Sequence, residues 1–195
     1  MSEEQRKVLD FIRSGKNVIV DACAGSGKST TILSIAKELT GKKIRQFTYN
    51  SQLRFDVKEN IRKMKLKNLE VHTYHSFAVK YYSDVAHTDT GIRQILREDT
   101  SPRSPIPLVD IVVLDESQDM TLLYFELIVK MAKNMCLEKD HCFQLLVLGD
   151  YMQGLYEFKG ADIRFLTQAP IIWNTLPHLE TNLFEHCELK TSYRI

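Results

Sequence analysis

The sequence predicts an α/β protein, a parallel sheet covered on both faces by helices, and three observations predict it. Apolar, β-rich runs alternate with helical patterns along the whole chain, as crossover connections between parallel strands require. The run NVIVDA enters a glycine-rich loop, ACAGSGKST at 22–30, which opens a helical pattern. A further apolar run ends at Leu114 and carries an acidic pair, Asp115 and Glu116, and crevices at such strand ends are where open α/β sheets bind ligands.

The elements follow in order. A helix is expected over 3–13, opened by Ser2 and Gln5 at the spacing of a capping box and closed at Gly15. A strand at 17–22 leads through the glycine loop to a helix at 28–39, whose apolar positions are Ile32, Leu33, Ile35, Ala36 and Leu39. Strands at 44–49 and 69–74 bracket a helix at 51–65, and helices at 75–83 and 91–98 come next. Three prolines within TSPRSPIP at 100–107 make that segment a loop. A strand at 109–114, a helix at 121–137 and a strand at 143–149 complete the main alternation. Turns are expected from 160 to 180 and a last strand at 186–190.

At 195 residues the chain fits one domain, or one with a small appendage, and can bury a sizeable core. A hydrophobic content of 44%, a charged content of 26%, and only eight glycines and five prolines exclude disordered, collagen-like and mucin-like classes. No apolar run approaches a membrane span, and MSEEQRKVLDF is too polar for a signal peptide. The four cysteines, Cys23, Cys136, Cys142 and Cys187, form no C-x-x-C pair. They suit reduced thiols, and the expected location is intracellular, in cytoplasm or nucleus. Cys136, His141, Cys142, His186 and Cys187 match no usual zinc spacing. A net charge of +1 names no polyanionic partner, but Lys58, Arg62, Lys63, Lys65 and Lys67 cluster against Glu59 alone. That cluster is either a basic edge for a nucleic-acid backbone or a solvated helix face.

The glycine loop has phosphate-loop form, with Ala22 in place of the usual first glycine. Gly25 and Gly27 let the backbone fold round phosphate oxygens, Lys28 reaches the outer phosphates, and the Ser29 hydroxyl coordinates magnesium. Ala24, Ser26 and Thr30 complete the cradle, and the helix N-terminus behind it favours phosphate. Asp115 is the expected magnesium partner, directly or through water, and Glu116 the base or orienter of an attacking water. ATP and Mg2+ are therefore the expected ligands.

Six segments taken together carry a more specific likeness. ACAGSGKST, TYNSQLRFDVKENI at 48–61, VHTYHSFA at 71–78, VVLDESQDM, LGDYMQGLYEFKGAD at 148–162 and LKTSYR at 189–194 occur in this order. The chain resembles the superfamily 1 DNA helicases of the UvrD/Rep type over nearly its whole length. The resemblance implies a P-loop NTPase with a RecA-like sheet, here the N-terminal ATP-binding domain of a helicase or translocase on single-stranded DNA, RNA not being excluded.

By the same resemblance, Gln5 reads adenine through its amide, unless it serves the capping box. Gln153 senses the γ-phosphate and relays it to the DNA groove, Tyr193 stacks on adenine, and Arg194 touches the γ-phosphate in bidentate fashion. Tyr156 and Phe158 stack on bases or belong to the core. Tyr49, Asn50 and Ser51, with Thr73, His75 and Ser76, fall where relatives hold phosphates without reading sequence. For His75, simple packing is the alternative.

Gly154 and Lys159 depart from the family's serine and arginine. Only 40 residues separate His75 from Asp115, so the inserted helical subdomain is expected to be absent or reduced to about 84–107. The second RecA-like domain is expected to lie outside these residues, leaving a domain that alone hydrolyses ATP slowly. Two rival readings remain: a shortened, inactive relative that binds nucleotide or nucleic acid, and a small P-loop nucleoside or nucleotide kinase.

Overall fold

In a computed structural model of the chain, described for residues 1–135, 141–155 and 160–191, helices and strands alternate around one sheet. Helix α1 (Glu3–Arg13) precedes β1 (Asn17–Ala22), α2 (Lys28–Glu38), β2 (Ile44–Thr48), α3 (Ser51–Lys63) and β3 (Leu69–Thr73). Then come α4 (Tyr74–Tyr81), α5 (Asp89–Arg97), β4 (Ile111–Leu114), α6 (Leu122–Met135) and β5 (Gln144–Gly149). Two four-residue helices, α7 (Arg164–Thr167) and α8 (Ala169–Ile172), lead to β6 (Phe184–Leu189). All six strands are parallel in the order β3-β2-β4-β5-β1-β6.

The inner strands are buried on both faces, and their side chains alternate between two cores. Val18, Val20, Ile111, Val113, Leu146 and Leu148 pack under α1 and α2 with Val8, Leu9, Ile32 and Ile35. Ile19, Val112, Leu114, Leu145 and Val147 face the opposite way, under α4, α5 and α6 with Phe77, Ile92, Leu127 and Met131. This is the near-continuous apolar pattern that parallel strands covered on both sides show. The fold is thus an α/β P-loop NTPase fold with a RecA-like parallel sheet.

Local chemistry sets the boundaries. Thr73 caps α4, its hydroxyl accepting from the Ser76 amide at 3.1 Å while Ser76 Oγ accepts from the Thr73 amide. Strand β3 therefore stops at Thr73, and the helix begins one residue before the expected 75. Thr88 caps α5 in the same way, which starts that helix at Asp89 instead of 91. Strand β4 begins at Ile111, not 109, because Asp110 anchors a turn: the Lys43 carbonyl accepts from Asp110 and Ile111, and the Asp110 carboxylate accepts from the Lys43 amide at 2.7 Å. The region 160–180, expected to form turns, includes α7 and α8, pinned by buried Trp173, whose indole donates to the Phe165 carbonyl at 2.8 Å.

One charged side chain lies fully inside. Arg45 of β2 is buried and pairs with Glu70 of β3, donates to the Pro107 carbonyl at 3.0 Å, and lies over the Phe77 ring. Burial alone would raise the Glu70 carboxyl, but the bond from His72 and the Arg45 charge outweigh it and hold Glu70 down at about 2.

Candidate functional site

Strand order puts the C-terminal ends of β4, β5 and β1 side by side, and each ends in chemistry. The turn after β1 is the glycine loop. Gly25 and Gly27 adopt φ of 76° and 90°, left-handed values that a Cβ resists. Gly27 stands at the N-cap of α2 with no side-chain cap, so the first amides of that helix are left for a ligand. The Gly27 carbonyl accepts from the Thr31 amide at 2.8 Å and the Thr31 hydroxyl at 2.9 Å, which holds the loop against the helix. The Cys23 thiol and amide both donate to β6 and the residue beyond it, at Lys190 and Leu189 carbonyls.

A cavity of about 800 Å³ opens over this loop, lined by Gln5, Ala24 through Thr30, Leu53, Glu116 and Gln153. Ten of the residues singled out from the sequence for the ATP site, Gln5, Ala24, Gly25, Ser26, Gly27, Lys28, Ser29, Thr30, Glu116 and Gln153, therefore meet at one place. Asp115 sits behind the cavity, 4% exposed, accepting from the Gln46 amide at 3.0 Å and from the Glu116 backbone at 3.0 Å. Burial first, and the neighbouring Glu116 charge second, push its carboxyl up to about 7 against the pull of Lys28.

A continuous polar chain joins the glycine loop to the end of β5. Lys28 Nζ pairs with Glu116 Oε2 at 3.2 Å, and Gln118 Nε2 donates to the same oxygen at 2.8 Å. Gln118 Oε1 accepts from the Asp150 amide at 3.1 Å, and Asp150 Oδ2 accepts from Gln153 Nε2 at 2.8 Å. Gln118 and Asp150 in this polar chain, and Gln46 beside Asp115, are the site residues that sequence reasoning missed. For Gln118 the signal was present, two residues after Glu116 in DESQD. For Gln46, alternation along β2 would have placed it on the face that meets Asp115.

The amide of Gln5 is engaged in the capping box: its Oε1 accepts from the Ser2 amide at 2.9 Å and Ser2 Oγ accepts from the Gln5 amide at 3.2 Å. Its Nε2 approaches the Gly27 carbonyl at 3.5 Å. Of the two roles considered for Gln5, the cap is the one its side chain fills here.

The ends of β2 and β3 form a second group on the same edge of the sheet. Tyr49 is about a third exposed and meets Tyr124 edge-on at 6.1 Å; burial, then Asp119 and Asp89, raise its phenol. Tyr124 stacks on Tyr74 at 4.4 Å and donates to Asp89, which also bonds His75 Nε2 at 2.9 Å. Asn50 caps α3, accepting from the Leu53 amide at 2.8 Å, and Thr73 is buried as the cap of α4. The Asn50 and Thr73 side-chain oxygens thus organise helix starts, and Tyr49 and His75 are partly exposed beside them. Tyr156, Phe158, Tyr193 and Arg194 lie outside the described residues.

Oxygen donors dominate the centre, and they fit a magnesium ion. A hydroxyl at Ser29 and a carboxylate at Asp115 are the few hard ligands that Mg2+ takes from protein while keeping water and phosphate oxygens. The carboxyl of Asp115 is buried with its charge opposed by Glu116, an environment that a cation would relieve. Among the described residues no three His, Cys, Asp or Glu side chains converge as a metal cluster, nor is any helix long and apolar enough to cross a membrane.

Fold and site together define a chain of the P-loop NTPase fold with a phosphate loop and an acidic pair at its strand ends. The AAA domain family matches residues 5–159, and the chain belongs to that family. No curated protein matches the sequence. Among solved structures, Pif1 helicase from Candida albicans is 18% identical with a TM-score of 0.56, the match covering 99% of this chain and 40% of that one. Pif1 from a Bacteroides species in complex with ADP-AlF4 is 18% identical, with a TM-score of 0.54 over 100% of this chain and 43% of that one. A structure of two coordinating Pif1 helicases at forked duplex DNA is 16% identical, with a TM-score of 0.55 over 99% and 44%. The chain spans about two fifths of those proteins, and it shares their fold, a RecA-like parallel sheet.

Proposed function

We propose that this chain is the first ATP-binding domain of a DNA helicase or translocase of superfamily 1, of the UvrD/Rep type by its motifs, coupling ATP hydrolysis to movement on single-stranded DNA. The observation that carries the reading is the polar chain from Lys28 through Glu116, Gln118 and Asp150 to Gln153. It connects the phosphate loop to the end of β5, so a change at the phosphates has a hydrogen-bonded route out of the cavity. The Bacteroides relative bound to ADP-AlF4 and the relatives at forked DNA support the same ligands here.

In this reading the α2 amides and Lys28 hold the β- and γ-phosphates, and Ser29 with Asp115 holds magnesium, which would neutralise phosphate charge. Glu116 releases Lys28 to the phosphates and takes the proton of the attacking water. Gln5 contacts adenine only if its side chain leaves the Ser2 cap. Tyr49 and His75 present the edge that meets the strand, RNA being an alternative to DNA. Tyr193 and Arg194 contribute adenine stacking and a γ-phosphate contact, and Tyr156 and Phe158 base stacking. A second RecA-like domain supplies the facing wall, the helical subdomain inserted in relatives is absent or reduced to about 84–107, and the protein works in the cytoplasm or nucleus.

Phosphate release is the measurement, with and without single-stranded DNA and RNA, for the wild type, Lys28→Ala and Glu116→Gln. Stimulation by a strand, lost turnover in both variants and retained nucleotide binding in Glu116→Gln are the expected results. Wild-type turnover by Glu116→Gln overturns the assignment of the base, and transfer of phosphate to a nucleoside would mark a kinase instead.

A further inference from the structure

We propose that the outer face of α3, joined by Lys80 of α4, is a second nucleic-acid surface that takes the sugar–phosphate backbone of the strand beyond the Tyr49 edge. The proposal rests on the reading of that edge as strand-binding. Helix α3 buries only Val57 fully among its 13 residues, so packing does not dictate its composition. At about 100° per residue, Arg54, Phe55, Lys58 and Arg62 fall within an arc of about 100°, and Asp56 and Glu59 fall outside it. One face of the helix is therefore a stripe of three cations with one aromatic and no acid.

The stripe's charge is largely unmet within the protein. Glu59 is held by Lys63 at 2.8 Å, although its carboxylate also feels Arg62. Asp56 accepts from Gln52, and Lys80 approaches Glu70 at 4.0 Å and lies over the Tyr81 ring at 4.7 Å, contacts that leave much of its charge to solvent. Among the described residues, Arg54, Lys58 and Arg62 make no ion pair. Lys58 is lowered by partial burial and by the charges of Arg54 and Lys80, in keeping with the four-residue spacing that sets Arg54 beside Lys58 on the helix surface. Phe55 is 60% exposed among them. A lone exposed aromatic is ordinary, but one standing in a cationic stripe has the make-up of a surface on which backbone charge is met and a base stacks.

The stripe continues the edge already described. Asn50, next to Tyr49, caps this same helix, and from Asn50 to Arg62 the helix rises about 18 Å. That length matches about five phosphates along one strand of a duplex-like backbone. Side chains Arg54, Lys58 and Arg62 recur about one turn apart, roughly 6 Å, a spacing that meets about every second phosphate at that rise and does not suit an apolar peptide, for which the stripe has no floor.

The test titrates the protein with labelled single strands of roughly 6 and roughly 20 nucleotides, lengths that bracket one small-domain site, and with a duplex. It compares the wild type with Arg54→Gln/Lys58→Gln/Arg62→Gln, whose thermal midpoint should match because Lys58 and Arg62 are exposed, Arg54 is half-buried and none of the three is fully buried. The triple variant should lose about tenfold in affinity for the long strand, and its slope of log affinity against log salt should fall by about 2, three phosphate contacts at about 0.7 each. Binding of the short strand should be unchanged. Unchanged long-strand affinity and slope would overturn the proposal, as would a loss confined to the duplex, or competition by polyglutamate as strong as by the strand. Tyr49→Ala and His75→Ala separate the two surfaces. If they weaken both lengths while the triple variant weakens neither, the flank fails and the edge stands. If they weaken neither while the triple variant weakens the long strand, the edge reading fails and the flank stands.

Discussion

At the scale of single residues, the Lys28–Glu116 pair sets a competition. Both side chains are largely enclosed, and each is the other's nearest opposite charge at 3.2 Å. A γ-phosphate must displace Glu116 to engage Lys28, so part of the phosphate's attraction is spent on breaking that pair. Glu116→Gln should tighten nucleotide binding several-fold while lowering turnover by about 10²–10⁴, the usual contribution of a general base. A fluorescent-nucleotide titration that shows weaker binding would remove Glu116 from this role. Gly149 makes a second prediction. A Cβ there would meet Leu166 Cδ2 at 2.7 Å and Gln118 Oε1 at 2.8 Å, so Gly149→Ala forces the connecting glutamine aside. A loss of about 1–3 kcal/mol is expected from overpacking, read as a shifted urea midpoint, together with reduced stimulation by a strand. Gly41→Ala, where nothing lies within 4 Å, is the matched control and should leave both unchanged. The glycine loop, Asp115 and Glu116 were legible because their spacing is local. The bonds of Gln118 to Asp150 and of Gln46 to Asp115 were not, because both exist only where strands distant in sequence come together.

At the scale of elements, alternation carried the strands and caps carried the helix starts. Expected boundaries missed by one or two residues where a side chain had a second use: Thr73 as a cap and Asp110 as a turn anchor. Arg45 reads in the sequence as an ordinary polar position of β2, and only the fold shows it buried between α4, α6 and β3. Its charge is met chiefly by Glu70, and this gives a pH prediction. The Glu70 carboxyl is held at about 2, below the 4.5 of a free glutamate. The folded state therefore binds the proton more weakly than the unfolded chain does. The stabilisation is complete above about pH 4.5 and is lost as pH falls from there through 2. Breaking a fully buried pair costs about 3–5 kcal/mol, but Glu70 is about a third exposed, and solvent screening brings the expected cost of Glu70→Gln at pH 7 to about 1–3 kcal/mol. Denaturation curves should show that gap narrowing steadily below pH 4.5. A gap of constant size down to pH 2 would mean that the hydrogen bond, and not the charge, couples β2 to β3.

At the scale of the whole molecule, two apolar cores, one on each face of the sheet, make a unit with its own interior, and the cavity over the glycine loop opens at its surface. The chain covers about two fifths of the Pif1 proteins whose fold it shares. This cavity should register its ligand as stability. A ligand that binds only the folded state adds about 2.7 kcal/mol at a hundred times its dissociation constant. At this size each kcal/mol moves the melting midpoint by roughly 2–4 °C, so saturating Mg·ATP should raise it by about 5–10 °C. Lys28→Ala should abolish the shift, and the comparison is between shifts, because removing Lys28 also leaves Glu116 and Asp115 without their cation. Chelating the metal sharpens the assignment further. Without a divalent ion, the Glu116 carboxylate stands against the phosphates, joined by Asp115 only above about pH 7 where it ionises, and at 4 Å two like charges repel by about 4 kcal/mol at an intermediate dielectric. ATP with chelator should therefore give a clearly smaller shift than Mg·ATP. Equal shifts would mean that the phosphates sit clear of Asp115, and that the cation assigned to Ser29 and Asp115 is held elsewhere.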